Sequence, residues 1–173
     1  MQLPYRGDTV CRSPDFSACI PEASIVSPTP SPDSPDLILI VDDEPALRSL
    51  GERILGRDGF ATEVACDGQE GVERFAELVK EDPTAVALVV LDLMMPRMDG
   101  AEALRHIHRI RPDQPVLLVS GYGESQLLAR LADHRLLADG EGLQFGRLIR
   151  FLQKPYSTSQ LRSAVAETLG RAP

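Results

Sequence analysis

At 173 residues, with 43% hydrophobic and 25% charged positions, the chain has room for one ordinary domain with a real core. A formal net charge of −8 counts against a nucleic-acid or anionic-membrane surface as the main partner, and suits a cation or a basic protein patch. No apolar run could span a bilayer, and the start MQLPYRGDTV lacks the basic end and apolar core of a secretion signal, so a cytoplasmic protein is expected.

Residues 1–35 differ from the rest. Seven of the 14 prolines fall there, and SIVSPTPSPDSPD is a Pro/Ser/Asp tract. Such a composition cannot bury enough apolar surface to offset chain entropy, so a disordered Pro/Ser-rich tail is predicted over 1–35, ahead of a globular domain over 36–173.

From residue 36 short apolar runs alternate with longer mixed segments. LILIV (37–41) reads as a buried strand, and PALRSLGERILGRDG (45–59) as a helix with Pro45 in its first turn and Leu47, Leu50 and Ile54 on one face. ATEVAC (61–66) alternates as a strand, which makes Cys66 a small buried residue. GQEGVERFAELVKED (68–82) is helical through Val72, Phe75 and Val79. AVALVVL (85–91) is a fully apolar strand, and GAEALRHIHRI (100–110) a helix with Leu104 and Ile107 inward. PVLLVS (115–120) is a strand, ESQLLARLADHRLLA (124–138) a helix, and RLIRFLQ (147–153) the fifth strand. STSQLRSAVAETLG (157–170) closes the chain as a helix, capped by Ser157, with Leu161, Val165 and Leu169 one turn apart.

Five strand–helix units in succession, with strands apolar on both faces, predict an α/β fold. Its doubly wound, five-stranded parallel sheet is flavodoxin-like, of order 2-1-3-4-5, with helices on both faces. Sites in such sheets form outside the carboxyl ends of the strands. After the first strand come Asp42, Asp43 and Glu44, after the third Asp92, after the fourth Ser120, and after the fifth Lys154 and Pro155. The first and third strands are neighbours in this order, so Asp42, Asp43 and Asp92 should share one pocket. Carboxylates at such quarters repel each other, and a hard divalent cation such as Mg2+ resolves the repulsion. A carboxylate can be a nucleophile toward phosphorus, and phosphoryl transfer needs mostly alignment and charge neutralisation, which the ion and Lys154 can supply.

The motifs ILIVDDEP, LVVLDLMMPRMDG, LLVSGY and FLQKP, in that order, resemble the receiver domain of two-component response regulators across 36–170. The resemblance implies Asp92 as phosphoacceptor. Asp42 and Asp43 would hold Mg2+ with Asp92 and the backbone carbonyl of Met94. Ser120 is then the switch hydroxyl, Phe151 the switch aromatic and Lys154 the lysine that meets the phosphoryl group. Pro96 and Gly100 would shape the loop after Asp92, and Pro155 would follow a cis bond. The implied partners are a histidine kinase or histidine phosphotransfer protein as donor, and a downstream protein on the face formed by the fourth helix, fifth strand and fifth helix. A homodimer through that face is one option, and neither direct nucleic-acid contact nor membrane insertion is implied. No enzyme activity beyond weak self-phosphorylation and self-dephosphorylation is expected.

Two departures from the family pattern stand out. The stretch from Ser120 to Lys154 is longer than usual, with LLADGEGLQFG extending the fourth helix and its loop. No effector domain is visible after the last helix, and SGYGE and LQKPYS resemble receivers of hybrid sensor kinases, so a stand-alone regulator and a detached hybrid-kinase receiver both stay open. Two rival functions also remain: an interaction module that ignores phosphorylation, and a Mg2+ phosphohydrolase with Asp92 as nucleophile. Against the second, the enzymes it would resemble carry another Asp two residues on, where this chain has Met94. Met94, Met95 and Met98 are expected to pack the active-site loop, with Met94 and Tyr122 flanking the acceptor. His106, His108 and His134 form no metal set and are expected to be solvated or packing residues.

Overall fold

The computed structural model describes residues 35–123 and 148–171. The predicted tail, Pro35 apart, and the helix predicted over 124–138 lie outside the described residues. All five predicted strands form: β1 (Leu37–Val41), β2 (Ala61–Ala65), β3 (Val86–Asp92), β4 (Val116–Ser120) and β5 (Ile149–Gln153). So do the four helices predicted within those residues: α1 (Pro45–Arg57), α2 (Gly68–Glu81), α3 (Gly100–Ile110) and the closing helix α4 (Thr158–Thr168).

The strands make one parallel sheet of order β2-β1-β3-β4-β5, as expected for a flavodoxin-like α/β protein. Alternation along each strand divides the core into two apolar layers. Ile38, Ile40, Leu88, Val90, Leu117 and Val119 pack against α1 and α4 through Ile54, Leu55, Leu161 and Val165. Leu39, Val41, Val89, Leu91 and Leu118 point the other way, onto Phe75 of α2 and Leu104 and Ile107 of α3. Both faces of the sheet are thus covered, which is why the central strands read as unbroken apolar runs rather than alternating ones.

Capping fixes where the helices begin, and so where the loops carrying polar residues end. The side chains of Asp67, Asp99 and Ser157 accept from the backbone N–H three residues on, and Ser157 with Gln160 completes a reciprocal capping box. Helix α1 starts instead on Pro45, with no side-chain cap at Glu44.

Two sequence expectations are corrected. Cys66 is exposed rather than buried. Strand β2 stops at Ala65, and the Cys66 N–H bonds the Glu70 carboxylate at 2.8 Å as the chain turns into α2. Of the three methionines expected to pack the loop after β3, Met95 does and Met98 lies against the core, but Met94 is 44% exposed.

Candidate functional site

Ladder register brings the carboxyl ends of β1, β3 and β4 level, with Val41 beside Leu91 and Asp92 beside Val119. The next residues out carry the acids. Oxygens of Asp42, Asp43 and Asp92 lie within 4.8 Å of one another, as their positions at neighbouring strand ends predict. Asp42 and Asp92 are buried, 6% and 4% exposed, while Asp43 faces solvent. Each buried carboxylate is held by backbone: Glu44 N–H donates to Asp42 Oδ1 at 2.9 Å, and Met94 N–H to Asp92 Oδ1 at 3.1 Å.

Lys154 reaches in from the end of β5. Its ammonium donates to Asp42 Oδ2 at 2.8 Å and Asp92 Oδ2 at 2.7 Å, and the bond to Pro155 is cis. Burial alone would lower the lysine pKa, but the two carboxylates outweigh it and hold the ammonium above its ordinary value. Burial also dominates at Asp92, whose pKa is raised although Lys154 and the Met94 N–H pull it down. The two directions agree: the ammonium gains from the pair, whereas the acid loses more water than the pair returns.

Ser120 ends β4 fully buried, its Oγ accepting from Tyr122 N–H at 3.1 Å and its carbonyl from Lys154 N–H at 2.8 Å. Phe151 pairs in register with Leu118, half-buried against the α2/α3 layer, on the sheet face toward which Ser120 also projects.

The loop after Asp92 is short and tightly led. Gly100 N–H donates to the Leu93 carbonyl at 3.2 Å, and a Cβ on Gly100 would stand 2.1 Å from the Asp92 carbonyl oxygen. Only glycine permits that approach, which fits its place among the loop-shaping residues. Pro96 accepts the Met98 N–H at 2.9 Å within the loop. Three residues near the site escaped the sequence reading. Arg48 of α1 donates to the Asp42 carbonyl at 2.6 Å, and Tyr156 lines a small cavity with Asp42 and Asp92, where burial lifts its phenol pKa. Asp67, buried at the β2–α2 corner, pairs with Arg97 of the loop. The Asp-x-x-Glu spacing ahead of α2 is a signal that could have found the cap, but nothing in the sequence marks the pairing.

A family model for the response regulator receiver domain matches residues 38–166. The chain belongs to that family. This receiver is 38% identical over 132 residues to the sensor kinase CckA of Brucella abortus (strain 2308), covering 76% of this chain and 12% of the kinase. It is 32% identical over 137 residues to the response regulator MprA of Mycolicibacterium vanbaalenii, covering 79% of this chain and 52% of the regulator. The chain therefore spans about half of one relative and a small part of the other. Among solved structures it is similar to the CheX-CheY-BeF3-Mg+2 complex from Borrelia burgdorferi, at 26% identity and a TM-score of 0.62, over 78% of this chain and 89% of that one. No helix among the described residues of this receiver is long and apolar enough to cross a membrane.

The donor set suits a hard divalent cation. One ammonium against three carboxylates leaves an excess of negative charge, all donors are oxygens, and exposed Asp43 leaves one side open to water.

Proposed function

We propose that this receiver takes a phosphoryl group from a phosphohistidine, on a histidine kinase or a histidine phosphotransfer protein, onto Asp92. The observation that carries this reading is the placement of Lys154, whose ammonium touches Asp42 and Asp92 together while Asp43 completes the acid cluster. A Mg2+ ion held by Asp42, Asp43, Asp92 and the Met94 carbonyl would neutralise charge on the transferring group. One neighbour in fold, from Borrelia, is a complex with BeF3 and Mg2+, which supports that choice of ion.

The remaining work falls to the chain. An Asp92 oxygen forms the new P–O bond as the P–N bond to the donor imidazole breaks, and the imidazole keeps the electron pair and takes up a proton. The Met94 N–H, 3.1 Å from the other Asp92 oxygen, keeps the carboxylate oriented for attack. Lys154, already held by Asp42 and Asp92, can then meet a phosphoryl oxygen as well, and the Ser120 hydroxyl can donate to another. A shift of Ser120 toward that oxygen opens room on the face it shares with Phe151, which turns inward and alters the surface around β5 and α4 that a downstream protein or a second copy would read.

The test is intact-mass measurement after incubation with a small acyl phosphate and Mg2+, on wild type and Asp92→Asn. One covalent phosphate on wild type alone, failing to form when Mg2+ is chelated beforehand, is expected. Phosphate on both proteins would put the acceptor elsewhere. Steady release of inorganic phosphate from an unrelated ester would favour a phosphohydrolase.

A further inference from the structure

We infer that Arg97 is a positioning residue for the phosphoacceptor loop, acting through Asp67. This rests on the reading of the acid cluster as a Mg2+ and phosphoryl site. Arg97 is the one non-glycine residue with positive φ (68°) among the described residues. Such a conformation costs energy that glycine or asparagine would largely avoid, so an arginine there calls for a use of its side chain.

The side chain has such a use. The Arg97 guanidinium, on a side chain 69% exposed, pairs with the carboxylate of Asp67, whose side chain is 2% exposed. The other Asp67 oxygen accepts the Glu70 N–H at 2.9 Å, and the Cys66 thiol lies 3.7 Å from the oxygen that Arg97 holds. A carboxylate this buried needs a countercharge, and the loop supplies it from 30 residues along the chain. The two segments also touch through backbone: a Cβ on Gly68 would stand 2.5 Å from the Met98 carbonyl oxygen.

Asp67 stands outside the acid cluster, so the pair is no part of the donor set. Its effect is mechanical. Pro96 and Met98 close a tight turn around Arg97, and Gly100 ties the far end of the loop to Leu93. With both ends held, anchoring Arg97 to the β2–α2 corner fixes the register of Met94, three residues upstream, whose N–H meets Asp92 and whose carbonyl is the proposed ion ligand. A rigid corner of the sheet thereby sets the backbone contribution that Met94 makes to the site.

The test uses the full chain and MgCl2 alone, titrated by calorimetry, with phosphorylation by a small acyl phosphate at saturating Mg2+ and urea midpoints in parallel. Arg97→Gln and Asp67→Asn remove the charge pair, and asparagine keeps the helix cap. Each should weaken Mg2+ binding by about tenfold, the low end for groups that orient a metal ligand. The double variant should be no weaker than either single one. Arg97→Lys should recover most of the affinity. Equal Mg2+ affinity in wild type and both charge-removing variants would overturn the inference, as would additive losses in the double variant or Arg97→Lys binding as weakly as Arg97→Gln. Wild type that binds Mg2+ but takes no phosphate on Asp92 would defeat the phosphoacceptor reading and leave the positioning role standing, whereas wild type that binds no Mg2+ defeats both.

Discussion

The ammonium of Lys154 lies 2.7 Å from a carboxylate oxygen of Asp92, across 62 residues of chain. It also holds Asp42 at 2.8 Å, so one cation bridges two buried acids. Removing the cation from such a set costs more than the contact was worth, because both acids are left charged and dry. Lys154→Met should therefore destabilise the ion-free protein by roughly 2–3 kcal/mol, less than for a fully buried pair because the lysine side chain keeps 20% exposure. Urea unfolding in the presence of a chelator measures this. Adding Asp92→Asn to Lys154→Met should recover part of the loss, and no recovery would mean that water already screens the two acids.

Asp92→Asn on its own should raise stability when no divalent ion is present. Burial lifts the folded pKa of Asp92 above its unfolded value, so the ionised form is penalised on folding. For an acid shifted this way, stability is fully present below the unfolded carboxylate pKa and is lost as pH rises through the folded one. The gain from asparagine should therefore be seen at neutral pH and vanish below pH ~4. Urea midpoints at pH 7 and pH 3.5 check it, and a variant weaker than wild type at pH 7 would show that the Lys154 contact outweighs desolvation.

The elements legible in the sequence are those whose signal is local. The run VALVVLD is apolar because both faces of β3 are covered, and its single acid marks where cover ends and the site begins. Asp42 and Lys154 were readable by the same rule, since each stands just past the carboxyl end of a strand in one parallel sheet. Signals that depend on a partner far along the chain were not readable. Asp67 presents itself as a helix cap, and only the fold brings Arg97 to it. Cys66 continues an alternating pattern that the turn into α2 cuts off one residue early. Met94 shares its composition with Met95, yet the backbone aims one outward and the other into the core. Arg48 sits on the polar side of a helical pattern that says nothing about its reach to the Asp42 carbonyl.

Gly100→Ala should be among the most damaging single changes in the domain. The added Cβ would lie 2.1 Å from the Asp92 carbonyl oxygen and 2.7 Å from Leu93 Cα, both backbone atoms that no rotamer change can move. Relief requires shifting the start of α3 or the end of β3, at a cost of about 3 kcal/mol, the upper part of the range for overpacking. Because the displaced atoms belong to or adjoin the proposed acceptor residue, phosphorylation by a small acyl phosphate should fall even where the variant stays folded. Thermal unfolding and intact mass separate the two effects. A variant as stable and as readily phosphorylated as wild type would mean that the loop yields freely.

His108 offers a pH dependence well away from the acid cluster. Its ring Nε2, in the last turn of α3, lies 3.0 Å from the carbonyl oxygen of Gln114 in the loop before β4. Burial lowers its pKa below the ordinary histidine value, although that carbonyl and Asp113 favour the charged ring. With the folded pKa below the unfolded one, the neutral ring contributes stability that is present above pH ~6.5 and drains away as pH falls through the folded pKa. His108→Gln keeps an N–H able to donate to the carbonyl but cannot titrate. Between pH 7.5 and 5 the urea midpoint of wild type should fall more steeply than that of His108→Gln, with the two curves parallel above pH 7. Parallel curves over the whole range would show that the ring takes up its proton equally well folded and unfolded.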